Sequence, residues 1–180
     1  MQTQSSLRLR PATEPHPVGR DVRMASPPRW GLVSRSLGIV LAALIAAGGY
    51  VHYCLYRHGY RAIPKIGVGF LLQAVTSTIV VVALLLGPHV VARVAHVTDR
   101  VAWTLTGLAV AALSAGTLVA FALTRTPGGL FNFRERGLEP APQALIALIA
   151  EAGALVMLGM WLVSGYVARR GFRHLAARAA

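Results

Sequence analysis

The chain has 180 residues, 55% of them hydrophobic and only 13% charged, with a mean hydropathy of +0.57; a soluble domain carries about 25% charge. The charges sit between long uncharged runs, which excludes an ordinary soluble globule, a disordered chain and a secreted disulfide scaffold. Cys54 is the sole cysteine, so no internal bridge can form. The net charge is +12, but the arginines flank apolar runs instead of lining a face. They therefore point to membrane topology and lipid headgroups, not to nucleic acid.

Residues 1–30 read as a basic, proline-rich, disordered tail. Pro11, Pro15, Pro17, Pro27 and Pro28 alternate with Arg8, Arg10, Arg20, Arg23 and Arg29. Met24 is an alternative start. A four-helix transmembrane domain is then expected over 31–168, with spans near 32–56, 64–87, 101–124 and 142–168. A basic tail at 169–180 follows. The spans come from length: about 20 apolar residues at 1.5 Å each cross a hydrocarbon core of about 30 Å.

In chain order, Ser36–Tyr56 is 21 residues without a formal charge, Ile66–Gly87 is 22 and Val101–Thr124 is 24. Ala141–Ala168 is 28, interrupted by Glu151. Backbone groups cannot stay open in lipid, so each run is predicted to be helical. The fold class is all-α, an up-down antiparallel bundle. Pro64 precedes the second run, Gly87-Pro88 closes it, Pro127-Gly128-Gly129 follows the third, and Pro140 and Pro142 open the fourth. Trp30, Tyr53, Tyr56, Tyr60, Trp103, Trp161 and Tyr166 fall toward span ends, where interfacial aromatics are expected.

The Ala46-Ala47 region has the look of a signal-peptide cleavage site. The apolar run continues past it to Tyr56, beyond a usual signal core of roughly 7–15 residues, so an uncleaved anchor is expected. Twelve Lys and Arg residues lie on the side of the termini and the Pro88–Arg100 loop; six lie on the other side. That asymmetry puts both termini in the cytoplasm of a multi-pass bacterial inner-membrane protein.

Polar residues inside spans must find partners and are the best functional pointers. Glu151 of the fourth span falls level with Gln73 of the second and Thr117 of the third, with His52 of the first slightly closer to the outer surface. Gln73 and Ser77 share a helix face, as do Ser114 and Thr117. Gly48 and Gly49 allow a neighbouring helix close at this level. His52, Gln73, Ser77, Ser114, Thr117 and Glu151 thus form a candidate polar cluster, either a protonatable or ligand-binding site or plain interhelical glue. A neutral Glu151 would donate to Gln73; an ionised one would need His52 or an outer-loop arginine.

A haem in a bundle needs two histidines at one depth on facing helices. His52 and His58 lie outside, His89, His96 and His174 inside or in loops, so no cofactor or metal ligand set is expected. There is no phosphate-cradling glycine loop, no Cys/His metal spacing and no carboxylate pair at one depth. With most of the chain in the membrane, an enzyme is not expected. Ala42/Ala46, Ala43/Ala47, Ala111/Ala115 and Ala112/Gly116 are small pairs four apart, suited to helix contacts within the chain or with a partner subunit.

The stretch HYCLYRHGYRAIPKIGVGFLLQAV from His52, with GGLFNFRERG and ALIALIAEAGALV further on, resembles small four-helix membrane proteins of actinobacteria that have no assigned activity. The shared pattern falls on His52, Tyr56, Gly59, Tyr60, Arg61, Ile63, Pro64 and Gln73, and the resemblance implies no catalytic residues. It draws attention to Tyr56, Tyr60, Arg61 and Pro64 as an outer-loop surface for a lipid headgroup or partner. The first expectation for function is an accessory or scaffold component acting through helix contacts. The alternatives are a small transporter or channel-like protein with Glu151 as its titratable group, and a haem- or quinone-associated redox subunit.

Overall fold

The computed structural model describes the backbone of residues 29–179 and the side chains of residues 32–167. Residues 1–28, which hold almost all of the expected N-terminal tail, lie outside this range. The described chain is all-helical: α1 (Arg29–Arg57), a 3₁₀ turn (Tyr60–Ala62), α2 (Ile66–Leu86), α3 (Pro88–Val94), α4 (Asp99–Thr124) and α5 (Gln143–Ala179). Among the described residues, α1, α2, α4 and α5 are each long and apolar enough to cross a membrane. They form the expected up-down bundle. Two details differ from the sequence reading. The Pro88–Arg100 loop contains the short helix α3, begun by Pro88 at its first position, where the missing N–H is harmless. In addition, α5 continues as helix through 169–179, where a tail was expected.

The packing is uneven. Helix α1 lies between α2 and α5 and contacts both along its length; α4 packs on α5 and approaches α2 much less. The core is Leu41, Ile45, Val80, Val110, Ala154, Leu158 and Trp161. On the opposite faces Leu72, Ile79, Leu85, Leu105, Leu108, Ile149, Val156 and Val163 are exposed. An apolar rim of this extent suits hydrocarbon and not water.

Trp161 departs from its expected place at an interface. It is 6% exposed and stacks on Trp103 with ring centroids 4.9 Å apart, so this pair fills the bundle instead of anchoring it. Of the small pairs, only Ala42 is buried, while Ala43, Ala46, Ala47, Ala112, Ala115 and Gly116 are exposed. Close approach falls to the neighbouring glycines. A Cβ built on Gly49 lies 2.5 Å from Cβ of Ser77, and one on Gly48 lies 2.6 Å from Oε1 of Glu151. Both distances are shorter than van der Waals contact, so α1 can sit against α2 and α5 at this level only without side chains.

Gly49→Ala should therefore lower the thermal stability of the detergent-solubilised bundle by about 1–3 kcal/mol, the usual cost of overpacking. Gly159→Ala, whose added methyl meets nothing within 4 Å, should leave the melting temperature unchanged or slightly raised.

Candidate functional site

The start of α1 and the end of α5 occupy one end of the bundle; the Arg57–Ile66 and Arg125–Gln143 connections occupy the other, here called the distal end. Glu151 lies eight residues into α5, about 12 Å below its start at 1.5 Å per residue. It is 1% exposed. Gln73 Nε2 donates to Glu151 Oε1 at 3.2 Å, across from α2, while Glu151 Oε2 is buried without a protein partner. The hydroxyls of Ser77 and Ser114 are likewise buried and unpartnered. A carboxyl and two hydroxyls enclosed in this way are costly in an apolar interior, which sets the level apart from the core around Leu41 and Val110.

His52 is also buried, but its Nδ1 donates to the carbonyl of Gly48 one turn back at 2.7 Å. Its ring meets Phe70 at 5.2 Å. Thr117 spends its hydroxyl on the carbonyl of Leu113 in its own helix, 3.0 Å away. The candidate cluster thus divides: Gln73 and Glu151 bond directly, Ser77 packs beneath Gly49, and His52 and Thr117 are tied to their own backbones. Among the described residues no arginine pairs with Glu151, and Arg125, one of the outer-loop arginines, is engaged elsewhere.

Between this level and the distal end lies a cavity of about 220 Å³, more than ten times the roughly 10–15 Å³ that admits one water. His52 and Gln73 line it from α1 and α2, Thr117 and Phe121 from α4, and Ala144 and Leu148 from α5. The Arg125–Gln143 connection roofs it with Leu130, Phe131, Phe133 and Glu135. Gln73 therefore belongs to both places, the cavity wall and the hydrogen bond to Glu151.

The roof is held by Arg125 and Glu135, which the sequence did not mark as site residues, together with Tyr60, which it did. Arg125 donates to Glu135 Oε2 at 3.1 Å, to the carbonyl of Gly137 at 3.0 Å, to that of Glu139 at 2.6 Å and to the Thr124 hydroxyl. Its guanidinium also lies 3.4 Å from the centre of the Phe121 ring. Glu135 accepts from Tyr60 on its other oxygen. Tyr60 then packs on Phe70 at 4.8 Å and Phe133 at 5.9 Å, joining the two distal connections. Burial first, and then the bond to Glu135, hold the Tyr60 hydroxyl well above its ordinary value of 10.0. Of the expected outer-loop surface, Tyr60 is therefore structural, Tyr56 is half-buried, and Arg61 and Pro64 are exposed. The GGLFNFRERG stretch was the one available signal for the roof.

Among the described residues, no three His, Cys, Asp or Glu side chains gather to hold a metal ion. Compared with models of protein families, with curated proteins and with solved structures, the chain matches none.

The raised Tyr60 hydroxyl has a definite sign. The unfolded chain ionises this phenol first, so its stabilising contribution is complete below about pH 10 and is lost as pH climbs above that value. Tyr60→Phe should flatten the alkaline fall in stability while lowering stability at pH 8, read as melting temperature against pH.

Proposed function

We propose that this multi-pass membrane protein is a small transporter-like binding protein, with the distal cavity as its ligand site and Glu151 as its titratable group. The observation that carries the reading is the double placement of Gln73. A ligand that packs against the Gln73 side chain shifts it relative to Glu151, and a change of charge on Glu151 alters how Gln73 sits in the cavity wall. Occupancy and protonation are then linked by one side chain, with equal effect in both directions. The accessory or scaffold role expected first from the sequence gives no reason for a cavity of this size beside a buried acid. Such a role needs only exposed apolar helix faces.

In this reading the bacterial inner membrane is the site of action, with both termini cytoplasmic and the distal end outside, following the excess of Lys and Arg on the side of the termini. A cysteine introduced by Arg134→Cys in a Cys54→Ser background should then react with an impermeant maleimide on intact cells. Reaction only after permeabilisation would reverse the orientation.

The link itself is tested by infrared difference spectroscopy of the reconstituted chain during a pH titration. A protonated-carboxyl band should appear and vanish with pH, be missing in Glu151→Gln, and move in Gln73→Leu. A band insensitive to pH, or unaltered in Glu151→Gln, would overturn the assignment of Glu151.

A further inference from the structure

We infer that the distal cavity seats one acyl chain of an anionic phospholipid, which enters from the bilayer between α2 and α4 and leaves its phosphate beside Lys65. This rests on the reading of the cavity as a ligand site and adds what fills it.

The walls set the chemistry of the buried part. Leu55, Ile66, Phe70, Ala120, Phe121 and Leu148 dominate the lining. The polar groups that reach it are mostly committed: His52 to Gly48, Thr117 to Leu113, Glu135 to Arg125 and Tyr60. A sugar, a nucleotide or an ion would find few partners there, whereas a hydrocarbon chain needs none.

The route follows from the packing. Helices α2 and α4 approach one another least closely among the neighbouring spans, and the cavity is lined on these helices by Gly69 and Gly116. Both glycines are exposed, and a Cβ added to either meets nothing within 4 Å. They therefore flank open space, facing out where lipid tails surround the bundle. The roof closes the distal end above, so a chain arriving sideways has the clear path.

Charge selects the head. The two distal connections carry Arg57, Arg61, Lys65, Arg125, Arg134 and Arg136 against Glu135 and Glu139. Lys65 is exposed, lines the cavity, and holds its ammonium 5.3 Å from the centre of the Phe131 ring. Beyond that contact the Lys65 ammonium has no hydrogen bond or ion pair among the described residues. With Arg125 spent on Glu135, Lys65 is the cation that the cavity offers to a phosphate.

The test uses the full chain exchanged from vesicles of phosphatidylcholine and phosphatidylglycerol with matched acyl chains, the retained lipid being measured by native mass spectrometry. The wild type should keep phosphatidylglycerol in preference to phosphatidylcholine. Lys65→Gln should reduce that preference by up to about fivefold, the upper end for one exposed charge pair. The double substitution Gly69→Leu with Gly116→Leu, at positions where an added Cβ meets nothing within 4 Å, should lose the retained lipid while the bundle still melts cooperatively. If the wild type holds both lipids equally and the double variant releases both, the headgroup assignment falls and the ligand site stands. If the double variant retains as much lipid as the wild type, the inference and the ligand site fall together. Loss of the Glu151 infrared response with lipid selectivity intact would overturn only the link to protonation.

Discussion

A carboxyl group enclosed in an apolar bundle has to be given both room and a partner, and the distal half of this protein is arranged around that requirement. Gly48 supplies the room, since any side chain there would collide with Glu151. Gln73 supplies the partner from the opposite helix. The contact draws α1, α2 and α5 to one level, and Gly49 lets α2 close over Ser77 at the same height. Below this level the packing is conventional hydrocarbon. Above it the helices part and leave the cavity. One hydrogen bond thus marks the boundary between a core that is filled and a region that is not.

The distal roof solves a different problem. A connection of eighteen residues between α4 and α5 has backbone carbonyls to satisfy and little secondary structure to do it. Arg125 gathers two of those carbonyls, a hydroxyl and a carboxylate around one rigid fork of donors. Its partner Glu135 passes the constraint on to Tyr60 and so to the α1–α2 connection. The pair is mostly sheltered, with side-chain exposures of 18% and 14%, so water screens it less than a surface ion pair. The roof consequently behaves as part of the bundle instead of as a loose loop.

Much of this architecture was legible in the sequence, because hydrocarbon imposes a length and leaves no open backbone. The four uncharged runs predict the four membrane-length helices and closely match the second and third, while α1 begins seven residues before its run and α5 continues eleven beyond. Gln73 and Glu151 were paired by depth alone, since each is a polar interruption of an apolar run and the bundle alternates direction. Gly48 and Gly49 followed from their position at that level. The rotation of each helix was not legible: where every face is apolar, periodicity cannot separate lipid-facing residues from buried ones. For that reason Trp161 appeared interfacial, and the alanine pairs could not be divided between contacts within the chain and contacts with a partner. The roof was hidden for another reason, as Tyr60 and Glu135 are 75 residues apart and meet through a connection with no periodic pattern. The cavity, being defined by what fails to touch, has no signature in a single sequence.

The seam between α2 and α4 also bears on how the protein meets mechanical load. A bilayer presses on the circumference of every bundle it surrounds, and that pressure falls when the membrane is stretched. Three of the four seams here are closed by extensive side-chain contact, while the fourth is bounded by two glycines and backed by empty volume. The cross-section is therefore least tightly closed along the α2–α4 seam.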